Sequence, residues 1–337
     1  RARDAWMAVN LARESDRDML EAWLEAGLPE DSWAHVEAEL PKRRASQWLE
    51  RSRLLGLPVA ELPRGIVGSA ASGIRCVAEI DATAGPAQRP PLVVDLSSLW
   101  AGPLCGHLLG LAGARVVKCE SFERPDGART GPRAFFDLLN ADKECVAFEF
   151  ASESGRAALR RLLECADIVI ESARPRALAG FGIHAEQWIA ARSGRTWVSI
   201  TGYGRTGPEA DWVAFGDDAA AASGLAWATA RFNGLSGPVF CGDAIADPLT
   251  GLHAAVAALA SFQRGGSRLL DVSLRGVVAS VLALVEKDPF AVCFAPGRAP
   301  SIESPNVALP RARAVSAHAR DLGVDTEPVM KTLRDLA

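Results

Sequence analysis

The sequence predicts an α/β fold: a doubly wound, mostly parallel, Rossmann-like sheet joined to a small, mainly helical domain. Three observations predict it. From Pro91 onward, short apolar runs alternate with helical stretches, the pattern of βαβ units. Those runs are continuous, as in Leu92-Val93-Val94-Asp95-Leu96, which marks strands buried on both faces. Before about residue 60 the apolar residues recur at helical spacing instead. The 337 residues carry a net charge of −4, with 49% hydrophobic and 23% charged residues. This is ordinary globular usage, too apolar for pervasive disorder and too acidic for a protein that coats nucleic acid. At roughly 100–200 residues per domain, two domains are expected.

The elements follow in order. Ala5 to Leu11 reads as a short strand. Ser15 and Asp16 offer cap oxygens to a helix carrying Met19, Leu20, Trp23 and Leu24. A second amphipathic run joins Trp33, Val36 and Leu40. A third joins Trp48, Leu49 and Leu54 and stops at Gly56. Residues 1–66 are therefore taken as the small domain, and the Gly/Ala/Ser/Pro-rich stretch 67–90 as linker. The core is placed at 91–285. Its strands are Leu92–Leu96, Ala114–Lys118, Cys145–Phe150, Asp167–Glu171, Thr196–Ile200 and Arg268–Val272. Its helices open at Gly102-Pro103, at Ser152 or Ser154, and near residues 186, 214 and 246. Residues 286–337, with Pro289, Pro296, Pro300, Pro305 and Pro310, read as an extended arm closed by a helix at 327–336. No apolar run reaches the ~20 residues that a membrane helix needs. The seven cysteines include no C-x-x-C pair and read as reduced core thiols of a cytoplasmic protein. The first residue is Arg1, so the chain is read as starting inside a longer one.

Few motifs carry chemistry. Gly202-Tyr203-Gly204-Arg205-Thr206-Gly207 matches G-x-G-x-x-G after a strand, but Pro208, Glu209 and Asp211 follow where a dinucleotide site needs a helix. It reads as a glycine-rich loop at the carboxyl edge of the sheet. The five histidines have no zinc-protease spacing, and G-x-S-x-G and the P-loop are both absent. Two carboxylate settings remain. Asp247 precedes an apolar helix in Gly242-Asp243-Ala244-Ile245-Ala246-Asp247-Pro248-Leu249-Thr250-Gly251. On spacing alone it is an ordinary helix cap or a carboxylate nucleophile aided by free backbone N–H groups. Asp217 and Asp218 stand side by side next to Gly216, and spacing does not say which faces a site.

Together the segments resemble the family III CoA-transferases, the group that includes formyl-CoA transferase, carnitine CoA-transferase, bile-acid-inducible protein F and α-methylacyl-CoA racemase. The carrying residues are Val94-Asp95-Leu96-Ser97 through Trp100-Ala101-Gly102-Pro103, Leu111-Ala112-Gly113-Ala114-Arg115-Val116-Val117-Lys118-Cys119-Glu120, and Asn140-Ala141-Asp142-Lys143. Ala166 through Pro175, Ser199 through Pro208 and Asp247-x-x-x-Gly251 complete the series. The resemblance implies an aspartate nucleophile at Asp247 that passes through an aspartyl anhydride and an aspartyl–CoA thioester. It implies CoA contacts at Leu99, Trp100, Phe148, Ser172, Ala173 and Arg174, with the Arg174 guanidinium suited to a CoA phosphate. Coenzyme A enters as a co-substrate, with an acyl-CoA and a carboxylic acid as partners. No metal, nucleic acid or membrane is implied, and an interlocked homodimer is. The racemase branch carries a histidine directly before an aspartate where this chain reads Gly216-Asp217-Asp218, so CoA transfer is favoured over racemisation. A CoA-binding member without turnover is the other alternative. The segment resembling the family's small domain precedes the core here instead of following it.

Overall fold

A computed structural model of the chain describes residues 1–27, 32–67, 73–80, 89–287, 313–315 and 317–335. In chain order the elements are β1 (Met7–Val9), α1 (Glu14–Asp18), α2 (Leu20–Leu24), α3 (Ser32–Glu39), α4 (Ala45–Leu55), β2 (Val59–Glu61) and β3 (Ile74–Glu79). Next come β4 (Leu92–Asp95), α5 (Ala101–Leu111), β5 (Arg115–Ser121), α6 (Arg133–Asn140), β6 (Glu144–Phe148), α7 (Glu153–Cys165) and β7 (Ile168–Glu171). They are followed by α8 (Pro175–Ala179), α9 (Ala185–Ala191), β8 (Thr196–Thr201), α10 (Gly216–Ala222) and α11 (Leu225–Phe232). The last are α12 (Ala246–Gln263), β9 (Arg268–Ser273), α13 (Leu274–Lys287) and α14 (Thr326–Asp335).

The chain folds as two units. Arg1–Gly73, Gly202–Asp247 and Ser273–Val307 form the first, and Ile74–Thr201, Pro248–Val272 and Ala308–Ala337 the second. In the first unit β1 and β2 pair antiparallel, Met7 opposite Glu61. Trp23 and Trp48 meet edge to face at 5.4 Å, and each indole N–H finds a backbone carbonyl, so neither buried donor is orphaned. A second cluster joins Ala8, Ala60 and Leu62 to Tyr203, Ala221 and Ala226, which explains why residues 202–247 fold with the N-terminal segment.

The second unit is built on a seven-stranded sheet in the order β3-β9-β8-β7-β4-β5-β6. Strands β8, β7, β4, β5 and β6 run parallel. Strand β3 is antiparallel to β9. Every residue of β4, β7 and β8 is buried, as continuous apolar runs require. Helix α7 starts where a cap was expected, with Ser152 Oγ accepting the Gly155 N–H at 3.0 Å. Helix α4 ends at Gly56, whose φ of +68° is costless only without a Cβ.

Some expectations are corrected. Ser15 and Asp16 do not cap the first helix. Arg13 does, and Asp16 sits at the third helical position, where its carboxylate accepts the Arg13 N–H at 2.9 Å. Residues 74–79, taken as linker, form β3; its burial is slight, so no apolar run advertises it. Helices α6, α8, α11 and α13 were not anticipated. Of the cysteines, Cys105, Cys119 and Cys145 are buried thiols as expected, but Cys76 is exposed. Cys293 and most of the expected extended arm lie outside the described residues. Among the described residues no helix is long and apolar enough to cross a membrane.

Helix α12 crosses α5 at Gly251. A Cβ there would lie 2.6 Å from the Ala101 carbonyl oxygen and 3.0 Å from Leu104 Cβ. Alanine is the better helix former by about 1 kcal/mol, but forcing two helices apart costs about 1–3 kcal/mol. Gly251→Ala is therefore expected to lower the midpoint of urea unfolding, whereas propensity alone predicts an increase.

Candidate active site

Strand β4 heads the parallel series. The chain moves outward from it through β5 and β6 on one side, and through β7, β8 and β9 on the other. The order reverses between β4 and β7, and the carboxyl ends of strands at such a reversal are the usual ligand position in these sheets. The β4 loop carries Leu99 and Trp100, and the β7 loop carries Ser172, Ala173 and Arg174. The Ser98 N–H donates to Ser172 Oγ at 3.3 Å, tying the two loops together. Leu99, Ser172 and Arg174 are exposed, and Trp100 and Ala173 half-buried. Trp100 packs edge to face on Phe135 at 5.0 Å. Five of the six expected CoA positions thus lie on two loops joined by that hydrogen bond. The sixth, Phe148, ends the edge strand β6 and is buried in the core cluster.

The β4 loop is not relaxed. Leu99 has φ +71°, a left-handed conformation that costs a non-glycine residue about 1–2 kcal/mol. Buried charges hold it there. Asp126 Oδ1 accepts the Leu99 N–H at 2.9 Å and the Ala128 N–H at 3.0 Å. Its other oxygen pairs with Lys118 Nζ at 2.8 Å, and that ammonium also donates to the Ser97 carbonyl at 3.0 Å. A second pair, Lys143 Nζ to Asp95 Oδ2 at 2.8 Å, lies beneath. Lys143 further donates to the Pro103 carbonyl at 2.8 Å and Asn140 Oδ1 at 3.0 Å. All four charged side chains are at most 2% exposed. Burial works to raise the Asp95 carboxyl, but the Lys143 and Lys118 ammoniums overcome it and hold it below the usual carboxylate range. Burial likewise works against the charged Lys118, and Asp95 and Asp126 outweigh it, so its ammonium is held above the usual range. Helix α5 fits over this cluster because it presents glycine. A Cβ on Gly106 would lie 3.0 Å from Asp95 Oδ2 and 3.1 Å from Lys143 Nζ.

Sequence reasoning singled out none of these four charges as a site. Lys118 was visible as a lone ammonium inside Val116-Val117-Lys118-Cys119, a strand buried on both faces, and such a group must be paired.

Asp247, in the first unit, lies in the first turn of α12 and is half-buried; it is not the cap. Its N–H donates to the Ala244 carbonyl at 2.9 Å. Gly216 abuts it, since a Cβ there would collide with Asp247 Oδ2 and with the Ala244 carbonyl. Ala244 has φ +45°, a second left-handed non-glycine residue. The adjacent aspartates divide their roles. Asp217 Oδ1 accepts the Ala244 N–H at 2.8 Å. Asp218 turns inward and is fully buried. Its Oδ1 accepts the Phe215 N–H at 2.8 Å and an Asn10 side-chain N–H at 3.2 Å, while Oδ2 has no partner among the described residues. Burial raises its pKa to about 7 against those two hydrogen bonds. Among the described residues no group of three or more His, Cys, Asp or Glu side chains is placed to hold a metal ion.

The sequence signature described as CoA-transferase family III matches residues 91–314. The chain is 32% identical over 219 residues to the succinate–glutarate CoA-transferase of Agrobacterium fabrum, covering 59% of this chain and 54% of that protein. It is 31% identical over 216 residues to the succinyl-CoA–D-citramalate CoA-transferase of Chloroflexus aurantiacus, covering 59% and 52%. It therefore spans about half the length of the curated relatives it matches. Among solved structures it is similar to a CAIB/BAIF family protein of Brucella suis, with a TM-score of 0.50 and 30% identity over 60% of this chain and 56% of that one.

Two outcomes follow from the geometry. Lys118→Met leaves Asp126 buried without its ammonium, and is expected to destabilise the protein by about 3–5 kcal/mol in urea unfolding. Asp218 gives a pH signature. Its folded pKa is near 7, whereas an unfolded aspartate titrates near ~3.9. Between these values the folded state binds the extra proton, so this group's contribution to stability is full below pH ~4 and is lost as pH rises toward 7. Asp218→Asn removes that loss. Melting curves are expected to show the variant gaining on the wild type between pH 5 and pH 8.

Proposed function

Because the chain belongs to CoA-transferase family III, we propose that it moves CoA between an acyl-CoA and a carboxylic acid, with Asp247 as the covalent carrier. The observation that carries the reading is the strand-order reversal, at which the loops of Leu99–Trp100 and Ser172–Arg174 are joined by the Ser98–Ser172 hydrogen bond. The exposed Arg174 suits a phosphate of CoA, and the Leu99–Trp100 loop offers an apolar wall to the pantetheine arm.

The proposed cycle balances at every step. A carboxylate oxygen of Asp247 attacks the thioester carbonyl, the C–S bond breaks, and CoA leaves as thiolate from an acyl–aspartyl anhydride. The thiolate attacks the aspartyl carbonyl, releasing the donor acid and leaving an aspartyl–CoA thioester. The acceptor carboxylate attacks that carbonyl and expels CoA thiolate again. The thiolate then takes the acyl group of the second anhydride and returns Asp247 as carboxylate. Each step trades one activated acyl group for another, so no step climbs far. The anhydride demands that water be kept out. A half-buried carboxylate against the bare Cα of Gly216 fits that demand better than a solvated one.

The test uses succinyl-CoA as donor and glutarate as acceptor, each drawn from the name of one of the two relatives above, with hydroxylamine to trap activated aspartate. Wild type is expected to acquire a hydroxamate at Asp247 by peptide mass spectrometry, and Asp247→Ala none, with transfer falling to the blank. Equal trapping in both proteins, or α-proton exchange without an acceptor acid, overturns the reading. The interlocked homodimer implied by the family resemblance belongs to the same proposal, and sedimentation of the full chain tests it.

A further inference from the structure

We propose that Asp217 is a positioning residue for Asp247. Its carboxylate clamps the Gly242–Ala244 turn in the shape that presents Asp247 at the head of α12. The inference rests on the reading of Asp247 as nucleophile.

One residue links the two aspartates. The Ala244 N–H is held by Asp217 Oδ1 at 2.8 Å, and the Ala244 carbonyl holds the Asp247 N–H at 2.9 Å. Between these two hydrogen bonds lies the Ala244 φ angle of +45°. An alanine has no intrinsic reason to stay there. The preceding left-handed residue is Gly242, φ +68°, which has that freedom. Rotation of Ala244 toward negative φ turns its carbonyl away from the Asp247 amide. The Asp217 hydrogen bond pins the amide side of that rotation, so the carbonyl keeps its aim.

The clamp has a fixed base. Asp217 follows Gly216 in the first turn of α10. That turn is anchored by Asp218, whose Oδ1 accepts the Phe215 N–H at 2.8 Å and the Asn10 amide at 3.2 Å. Gly216 supplies the other half of the fit, because any Cβ there would collide with both the Ala244 carbonyl and Asp247 Oδ2. Residues 216 and 217 thus shape the nucleophile from one platform, one by lacking atoms and one by accepting a hydrogen bond. The role needs an acceptor oxygen at that place and no charge, which separates it from an electrostatic one.

The experiment measures the rate of hydroxylamine trapping at Asp247 with succinyl-CoA, CoA affinity by calorimetry, and hydrogen exchange at the Ala244 amide, in the full chain. Asp217→Ala is expected to slow trapping by about 10- to 100-fold, the cost of leaving one backbone N–H without its acceptor. CoA affinity should not change, and protection of the Ala244 amide should be lost. Asp217→Asn keeps an acceptor oxygen and is expected to restore trapping to within about threefold of wild type. Should Asp217→Ala fail to fold, Asp217→Glu displaces the acceptor by one methylene and is expected to trap slowly. Wild-type trapping rates in the Ala or Glu variant overturn the proposal, as does an Asn variant as slow as Ala. Absence of any Asp247 adduct in the wild type overturns the nucleophile reading itself, and this proposal with it.

Discussion

Two ammonium groups sealed beneath the β4 loop, Lys118 and Lys143, set the shape of that loop. Neither tolerates burial alone, and each is met by a carboxylate at 2.8 Å. The remaining donors and acceptors are largely spoken for as well, by Ser97, Pro103, Asn140 and the backbone of Leu99 and Ala128. A buried pair of this kind adds little net stability compared with a hydrophobic isostere, but losing one member is costly. What it supplies is geometry. Asp126 gives one oxygen to Lys118 and the other to the Leu99 amide, so a left-handed leucine is held in the β4 loop where no glycine is present to adopt that φ freely.

The first unit solves a similar problem by different means. Ala244 is also left-handed, and its neighbours hold it through hydrogen bonds to both sides of its φ angle. Steric room comes from Gly216. In both places strain sits in a non-glycine residue, and the surrounding structure over-determines it. The difference lies in dielectric setting. The β4 loop is held by fully buried charges, while the Asp247 turn is held by half-buried Asp217. Fully buried Asp218, one residue on, has only hydrogen bonds and the weaker pull of Arg53 against its burial, and its carboxyl rises accordingly.

Much of this was legible in the linear chain. The parallel strands, the stop of α4 at Gly56 and the Ser152 cap each rest on one strong local signal: a continuous apolar run, a residue free at positive φ, a side-chain oxygen ahead of a helical period. The positions Leu99, Trp100, Ser172, Ala173 and Arg174 were named through family resemblance, and the pairing of β4 with β7 explains physically why the loops that carry them are neighbours. Strand β3 was not legible, because an edge strand with little burial carries no apolar pattern. The roles of Asp217 and Asp218 were not legible either, since neighbouring residues at the start of a short helix differ in direction by about a hundred degrees and only packing says which way is inward.

The amino-acid sequence by itself determined the alternating architecture, the absence of any membrane-length apolar run, and the presence of an aspartate near the start of the apolar helix that follows Ala244. Those properties depend on short-range spacing and composition, which a linear chain states directly. Only the tertiary structure decided that residues 202–247 fold with the N-terminal segment, that Lys118 answers Asp126 and Lys143 answers Asp95, and that Asp217 reaches the amide of Ala244, 27 residues away. Pairings across such separations are chosen by which buried charges and amides find partners once the chain has collapsed, and no local pattern encodes that choice.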